Sequence, residues 1–244
     1  MHELQIKYKD IIESLAKAAC KCGELGFTAS HGGNLSVKSD NLIFITPTKV
    51  PKDEITPEDI VIVDDHNKIL YAKPGRKPTG ELPMHSHIYN LRPDLHSIVH
   101  AHPPFLTGFS IARSKILARP LLPEPCIELG PILSIPYVEP VSEDLARAFE
   151  QVVDYSNAWL MENHGITVAS AEGISRTFGL LQMAEAMAQS VSVALACSGI
   201  QEIPEQEIEK LEKVLLGRNL PIPGNPTKVK SLTSLYKKDL IHAS

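Results

Sequence analysis

Apolar positions at the start of the chain recur three or four residues apart: Leu4, Tyr8, Ile11, Leu15, Ala18, Cys22 and Leu25, with Gly26 ending the run. That period predicts one amphipathic helix with a single buried face. The pattern then changes. Gly32-Gly33 leads into Asn34–Lys38, Ser39-Asp40 turns the chain, and Asn41–Thr46 follows, which reads as a β-hairpin. Pro47, Pro51 and Pro57 mark a loop; Asp59–Asp65 and Lys68–Ala72 read as strands joined by a turn.

Further along, Pro74-Gly75 and Pro78 keep the chain irregular up to Thr79-Gly80. A helix is expected from Glu81 to just before Arg92-Pro93, with Pro83 in its first turn, where a missing N–H is tolerated. A strand should run into His100, followed by a short helix over Phe105–Ala112, a loop over Pro120–Pro125 and a strand over Ile132–Pro136. Ser142 is the expected N-cap of a helix reaching Val153, with Glu143 and Asp144 complementing its dipole. Trp159–Glu162 and Ile166–Ala169 flank Asn163-His164-Gly165 as a second hairpin. Ser170 is the expected cap of a long helix bearing Ile174, Phe178, Leu181, Met187 and Val191, closed by Gly199. The tail is polar and Pro-rich, with a short helix at Glu205–Leu216. Hairpins outnumber βαβ units, so the sheet should be largely antiparallel with helices on its faces.

Composition narrows the class. A chain of 244 residues, 43% hydrophobic, suits one large α/β domain spanning 1–244, with a core at about 4–199 and a tail at about 200–244. A formal net charge of −5 and a pI of about 6.1 give no basic footprint for nucleic acid. No run of ~18 apolar residues predicts a membrane span, and Met1-His2-Glu3-Leu4 does not begin a signal peptide. Cys20, Cys22, Cys126 and Cys197 form no C-x-x-C pair, so reduced cysteines in a cytoplasmic protein are expected.

The candidate chemistry centres on His100-Ala101-His102, after Ile98-Val99 and before Pro103-Pro104. Residues i and i+2 of a strand share a face, so both imidazoles point the same way. That supplies two thirds of a catalytic metal site, which needs three protein ligands and an open position; the plainer reading is a hydrogen-bonded core histidine. His164, at a hairpin tip, is a candidate third ligand. His66, His96 and His242 sit in turn or tail contexts, where most histidines are simply surface residues. Gly32-Gly33-Asn34, Thr46-Pro47-Thr48-Lys49 and Lys77-Pro78-Thr79-Gly80 offer backbone donors, hydroxyls and cations suited to an anion, although each taken singly is an ordinary turn. Glu81 is either a first-turn acid complementing its helix or a proton-transfer group.

Gly33-Asn34-Leu35-Ser36, Thr46-Pro47-Thr48, Lys77-Pro78-Thr79-Gly80-Glu81, His100-Ala101-His102 and Asn163-His164-Gly165 occur in the order of the class II aldolase/adducin family. The chain resembles that family, and its fuculose-phosphate aldolases in particular, from about Leu4 to Gly199. The resemblance implies a three-layer α/β/α sandwich around a mostly antiparallel sheet, and a homotetramer with active sites at subunit interfaces. It implies His100, His102 and His164 as ligands of Zn2+, a set that also suits Mn2+, Co2+ or Fe2+. Glu81 would be the acid/base, and Gly32, Asn34, Thr48, Lys49, Thr79 and Gly80 the phosphate cradle. The fuculose-phosphate aldolases carry two serines where this chain has Thr79-Gly80, and glycine where it has Lys49. They place a second proton-transfer tyrosine where this chain runs Leu121-Leu122-Pro123-Glu124, so Glu124 takes that place; Tyr236 is a C-terminal candidate.

The implied activity is cleavage of a ketose 1-phosphate to dihydroxyacetone phosphate and an aldehyde through a zinc-stabilised enediolate. A sugar-phosphate 4-epimerase, dehydratase or decarboxylase would use the same residues. A non-catalytic adducin-like module would keep the fold without the metal. The aldehyde portion of the substrate has no motif in this chain.

Overall fold

The computed structural model describes residues 2–237; His242 lies outside them. The helices are α1 (Glu3–Lys7), α2 (Lys9–Glu24), α3 (Leu82–Leu91), α4 (Pro104–Ile111), α5 (Pro123–Glu128), α6 (Glu143–Ala148), α7 (Ile174–Cys197), α8 (Glu205–Gly217) and α9 (Leu232–Leu235). The strands are β1 (Asn34–Ser39), β2 (Leu42–Ile45), β3 (Val61–Asp64), β4 (Ile69–Tyr71), β5 (Ser97–Ala101), β6 (Ile132–Ile135), β7 (Ala158–Met161) and β8 (Gly165–Ser170). They form an eight-stranded sheet in the order β4-β3-β2-β1-β5-β8-β7-β6. The α/β class expected from the sequence holds.

The sheet is mixed, which corrects the expectation of a mostly antiparallel one: β6 runs parallel to β7. The cause lies in the connection between Ile135 and Ala158, which carries α6 and a short 3₁₀ turn. A tight hairpin can only join antiparallel neighbours, whereas a crossover with a helix permits parallel ones.

The chain divides into two compact units. One comprises the chain up to Pro103 with Val138–Arg147 and Ala169–Gly179. In it β1 pairs antiparallel with β2 and with β5, and β2 with β3. Alternation along β1 puts Leu35 and Val37 on one face and Asn34 and Ser36 on the other. Tyr8, just ahead of α2, stacks its ring on Phe44, the register partner of Val37. On the opposite face α3 brings His85 and Tyr89 to the Ser36 hydroxyl. This unit therefore carries helices on both faces of its strands.

The expected single N-terminal helix is two. Tyr8, at φ −111° and ψ 30°, ends α1 and precedes α2, and its hydroxyl donates to Asp40 at 2.6 Å. That tertiary bond and the Phe44 contact override the continuous helical period.

The other unit comprises Pro104–Tyr137, Ala148–Val168 and the chain from Leu180 on. Here β7 pairs with β6 and with β8, and Met161 faces Gly165 where the hairpin closes. Trp159 is fully buried, edge-on to Phe149, and its indole N–H donates to the Val152 carbonyl. The expected loop at Pro120–Pro125 gives way to α5, which Pro123 opens at a first-turn position. Ile127, Ile208, Leu215, Val229, Leu232 and Leu235 from α5, α8, α9 and the segment before α9 form one apolar cluster. The α6 helix is shorter than expected, ending at Ala148, with Ser142 accepting from the Leu145 N–H as a cap should.

Among the described residues, α7 is the one helix long and apolar enough to cross a membrane, a possibility that counting uninterrupted apolar runs does not reveal. Its Leu181, Ala184 and Ala188 are fully buried, and its Glu185 carboxylate accepts from the Phe105 and Leu106 amides at 2.9 Å each. Those two amides are among the orphan donors at the start of α4.

Candidate active site

β5 ends at Ala101, so His100 is the last strand position but one and His102 lies just beyond it. The His102 amide leaves the ladder and donates to the Phe27 carbonyl at 2.8 Å. The two Nε2 atoms are 3.0 Å apart, with the rings edge-on at 73°. His164 follows Asn163, whose φ of +54° makes the left-handed turn at the tip of the β7–β8 hairpin. Arg113 donates to the Asn163 side chain and pairs with Glu162, steadying that tip. His100, His102 and His164 each offer a ligand nitrogen, and these atoms all lie within 4.8 Å of one another. Three imidazoles converging in this way form a donor set suited to a borderline divalent ion.

Glu81 is the N-cap of α3, yet its side chain does not cap the helix. It turns inward, buried, with Oε2 3.5 Å from His100 Nε2. Thr79 helps to hold it there: the Glu81 amide donates to the Thr79 hydroxyl at 3.3 Å. Asn34 donates from Nδ2 to Glu81 Oε2 at 2.7 Å. Its Oδ1 lies 2.5 Å from His85 Nε2.

The six cradle residues fall on three turns that are laced together. Thr46 exchanges bonds with Leu35, accepting its N–H on the hydroxyl and donating its own to the Leu35 carbonyl. Thr48 donates to the Lys77 carbonyl and Thr79 to the Thr46 carbonyl. Lys52, almost fully buried, donates to the His31 and Val50 carbonyls at 3.1 and 3.2 Å, tying the first turn to the second. Burial lowers the Lys52 ammonium to about 8, against a smaller raising influence from Cys22, whose thiol burial pushes up to about 12.

Gly32 and Gly33 press the first turn against the histidines. A Cβ on Gly32 would sit 3.2 Å from His102 Nδ1; one on Gly33 would meet the His100 carbonyl at 2.8 Å. Lys49 is exposed and at φ +60°, a conformation that favours the glycine of the fuculose-phosphate aldolases. Gly80 is exposed, while Thr79 is buried. Asn34 differs from the cradle expectation, since its amide is occupied by Glu81 and His85 rather than lying in the turn. Glu124 lies exposed in the first turn of α5. The Tyr236 hydroxyl donates to the Cys126 carbonyl and its ring packs on the α5–α8–α9 cluster.

Sequence reasoning missed Ser36, His85 and Tyr89. All three are buried, and they bond to one another behind Glu81. The available signal was the spacing of Glu81 and His85, four apart across a helix start.

An α/β sheet whose strand end and hairpin tip gather three imidazoles beside a buried carboxylate has the donor set of a metal-dependent enzyme. The chain belongs to the class II aldolase and adducin family: the family's model, described as the class II aldolase and adducin N-terminal domain, matches residues 13–217. Its curated relatives, aldolases and a decarboxylase by name, support an enzyme of the lyase kind. An L-fuculose phosphate aldolase of Methanococcus maripaludis is 31% identical over 67% of this chain and 86% of its own. A 5-deoxy-D-ribulose 1-phosphate aldolase of Bacillus thuringiensis is 31% identical over 79% of this chain and 89% of its own. A 3-oxo-tetronate 4-phosphate decarboxylase of Haemophilus influenzae is 29% identical over 61% and 71%. Among solved structures, an L-fuculose 1-phosphate aldolase superposes with a TM-score of 0.76 at 26% identity, covering 85% of this chain and 96% of that one.

Proposed function

We propose that the protein is a metal-dependent aldolase that splits a ketose 1-phosphate into dihydroxyacetone phosphate and an aldehyde. The observation that carries this reading is the buried Glu81 carboxylate 3.5 Å from His100, within a set of three imidazoles whose nitrogens converge. His100, His102 and His164 would hold the divalent ion, with zinc the first candidate. An ion so held supplies Lewis-acid stabilisation of the negative charge that builds on the substrate's oxygens.

The chain's own residues do the rest. Glu81 delivers a proton to the carbon freed by bond cleavage and removes it again in the reverse direction. Backbone and hydroxyl donors of Gly32, Asn34, Thr48, Thr79 and Gly80, with the Lys49 ammonium, grip the phosphate, and that remote binding aligns the reacting carbons. Glu124, reaching in from a neighbouring subunit of a homotetramer, takes the hydroxyl proton of the departing aldehyde. The chain works as a single domain in the cytoplasm.

Replacing Glu81 with Gln tests the reading. Metal content, measured by elemental analysis, should be unchanged while turnover falls by about 10²-fold or more; full activity would remove Glu81 from the mechanism. His100→Ala should lower the metal content itself. A second reading, decarboxylation, is favoured by the relative named as a 3-oxo-tetronate 4-phosphate decarboxylase. The products decide: a free aldehyde from a ketose 1-phosphate marks the aldolase, and carbon dioxide from a 3-oxo acid phosphate marks the decarboxylase.

A further inference from the structure

Glu81 is the near end of a chain of buried polar groups. Asn34 Nδ2 is 2.7 Å from Glu81 Oε2, and Asn34 Oδ1 is 2.5 Å from His85 Nε2. His85 Nδ1 is 2.7 Å from the Ser36 hydroxyl, which is 2.8 Å from the Tyr89 hydroxyl. Tyr89, Ser36 and His85 are 1%, 0% and 0% exposed, and Asn34 and Glu81 are 4% and 6%. Five consecutive side chains sealed from water must satisfy one another, because an unmatched donor or acceptor there costs about 1–3 kcal/mol.

The donor and acceptor inventory fixes the direction of every bond. Asn34 turns its NH₂ to Glu81 Oε2 and its carbonyl to His85. His85 Nε2 must then carry the hydrogen. Burial lowers the His85 imidazole to about 3, so the ring is neutral and its Nδ1 is bare. Nδ1 accepts from the Ser36 hydroxyl, which leaves Ser36 to accept from Tyr89. All four bonds point towards Glu81.

We infer that Tyr89, Ser36, His85 and Asn34 form a one-way hydrogen-bond relay that positions Glu81 by holding its Oε2 on the Asn34 amide. Reversing the relay requires the buried Asn34 amide to turn over and His85 to exchange its proton between ring nitrogens. His85 is a positioning residue, and the Asn34 side chain serves the carboxylate while its backbone serves the cradle. The role in turnover rests on the aldolase reading; the direction of the bonds does not.

Two measurements separate these. Nitrogen-15 NMR of the intact chain, labelled at its ten histidines, reads the His85 tautomer directly. The expected result is a neutral ring protonated at Nε2 from pH 5 to 9; a ring protonated at Nδ1 overturns the relay whatever the enzyme's activity. This arm uses the unaltered protein, so no misfolded variant can blunt it. The second arm is Asn34→Asp, checked for a cooperative melt, assayed for exchange of solvent deuterium into dihydroxyacetone phosphate. The relay predicts that kcat and exchange fall by about 10²-fold while KM for the phosphorylated substrate stays within about 2-fold. A rise in KM of about 10-fold with kcat preserved would instead return Asn34 to the cradle and overturn the relay. Correct NMR together with a fully active Glu81→Gln enzyme would leave the relay standing and sink the aldolase mechanism.

Discussion

Lys52 is a buried ammonium that donates to two carbonyls rather than to a carboxylate. Burial holds it near 8, below the ordinary lysine value of 10.5. Between those two values the unfolded chain keeps a proton that the folded chain has released. Stability from this group therefore rises as pH climbs through that window and is lowest below it. Urea unfolding of the wild type and Lys52→Met at pH 8 and pH 10 should show the wild type gaining about 2 kcal/mol on the variant; a constant difference would contradict the shift. Burial also lowers His85, to about 3. The unfolded chain there binds the extra proton between about 3 and the ordinary 6.5, so that contribution to stability is lost as pH falls through the window. At Lys49, φ +60° costs a side-chain-bearing residue about 1 kcal/mol that glycine does not incur. Lys49→Gly should accordingly raise the melting temperature by a few degrees while weakening the binding of a phosphate ester. If binding is unchanged, the ammonium is not part of the cradle.

At the scale of elements, the glycine turn before β1 is a sensitive joint. A Cβ on Gly33 would lie 2.6 Å from Thr28 Cγ2 and 2.8 Å from the His100 carbonyl, at φ +66°. Gly26 has a similar φ of +70° but nothing within 4 Å. Gly26→Ala should cost about 1 kcal/mol from backbone conformation alone. Gly33→Ala should cost clearly more and also lower the retained metal, because the carbonyl it displaces belongs to a candidate ligand; calorimetry and elemental analysis read the two effects. Elements of this kind were legible in the sequence. The Ser39-Asp40 turn between Asn34–Lys38 and Asn41–Thr46 located the first hairpin, and Ile98–His102 located β5. What escaped were features settled by partners remote in sequence. Tyr8 breaks the first helix because Asp40 and Phe44 hold it. α5 contains two prolines and reads locally as a loop, yet buries Cys126 and Ile127. The parallel direction of β6 depends on a crossover that no local pattern encodes. The three imidazoles were visible from motif order, but the relay was not. Ser36, His85 and Tyr89 are ordinary residues of a strand and a helix until the two are packed together.

At the scale of the whole molecule, an ion that binds the folded chain and not the unfolded one stabilises by mass action. Treatment with a chelator should lower the melting temperature of the wild type and leave that of His100→Ala unmoved; equal shifts would show that the chelator acts elsewhere. Sedimentation tests the proposed assembly, with four times the 26.8 kDa chain mass expected. The exposed Glu124 makes a second check, since Glu124→Gln should reduce turnover only in the assembled state. The division of the sequence has a consequence for biosynthesis. Each compact unit draws on three separate stretches of chain, and the first is complete only with Ala169–Gly179. A growing polypeptide therefore cannot finish that unit until Gly179 has been added. His100 and His102 will have left the ribosome well before His164 and Ala169–Gly179, so a metal captured that early would be held by two imidazoles rather than three.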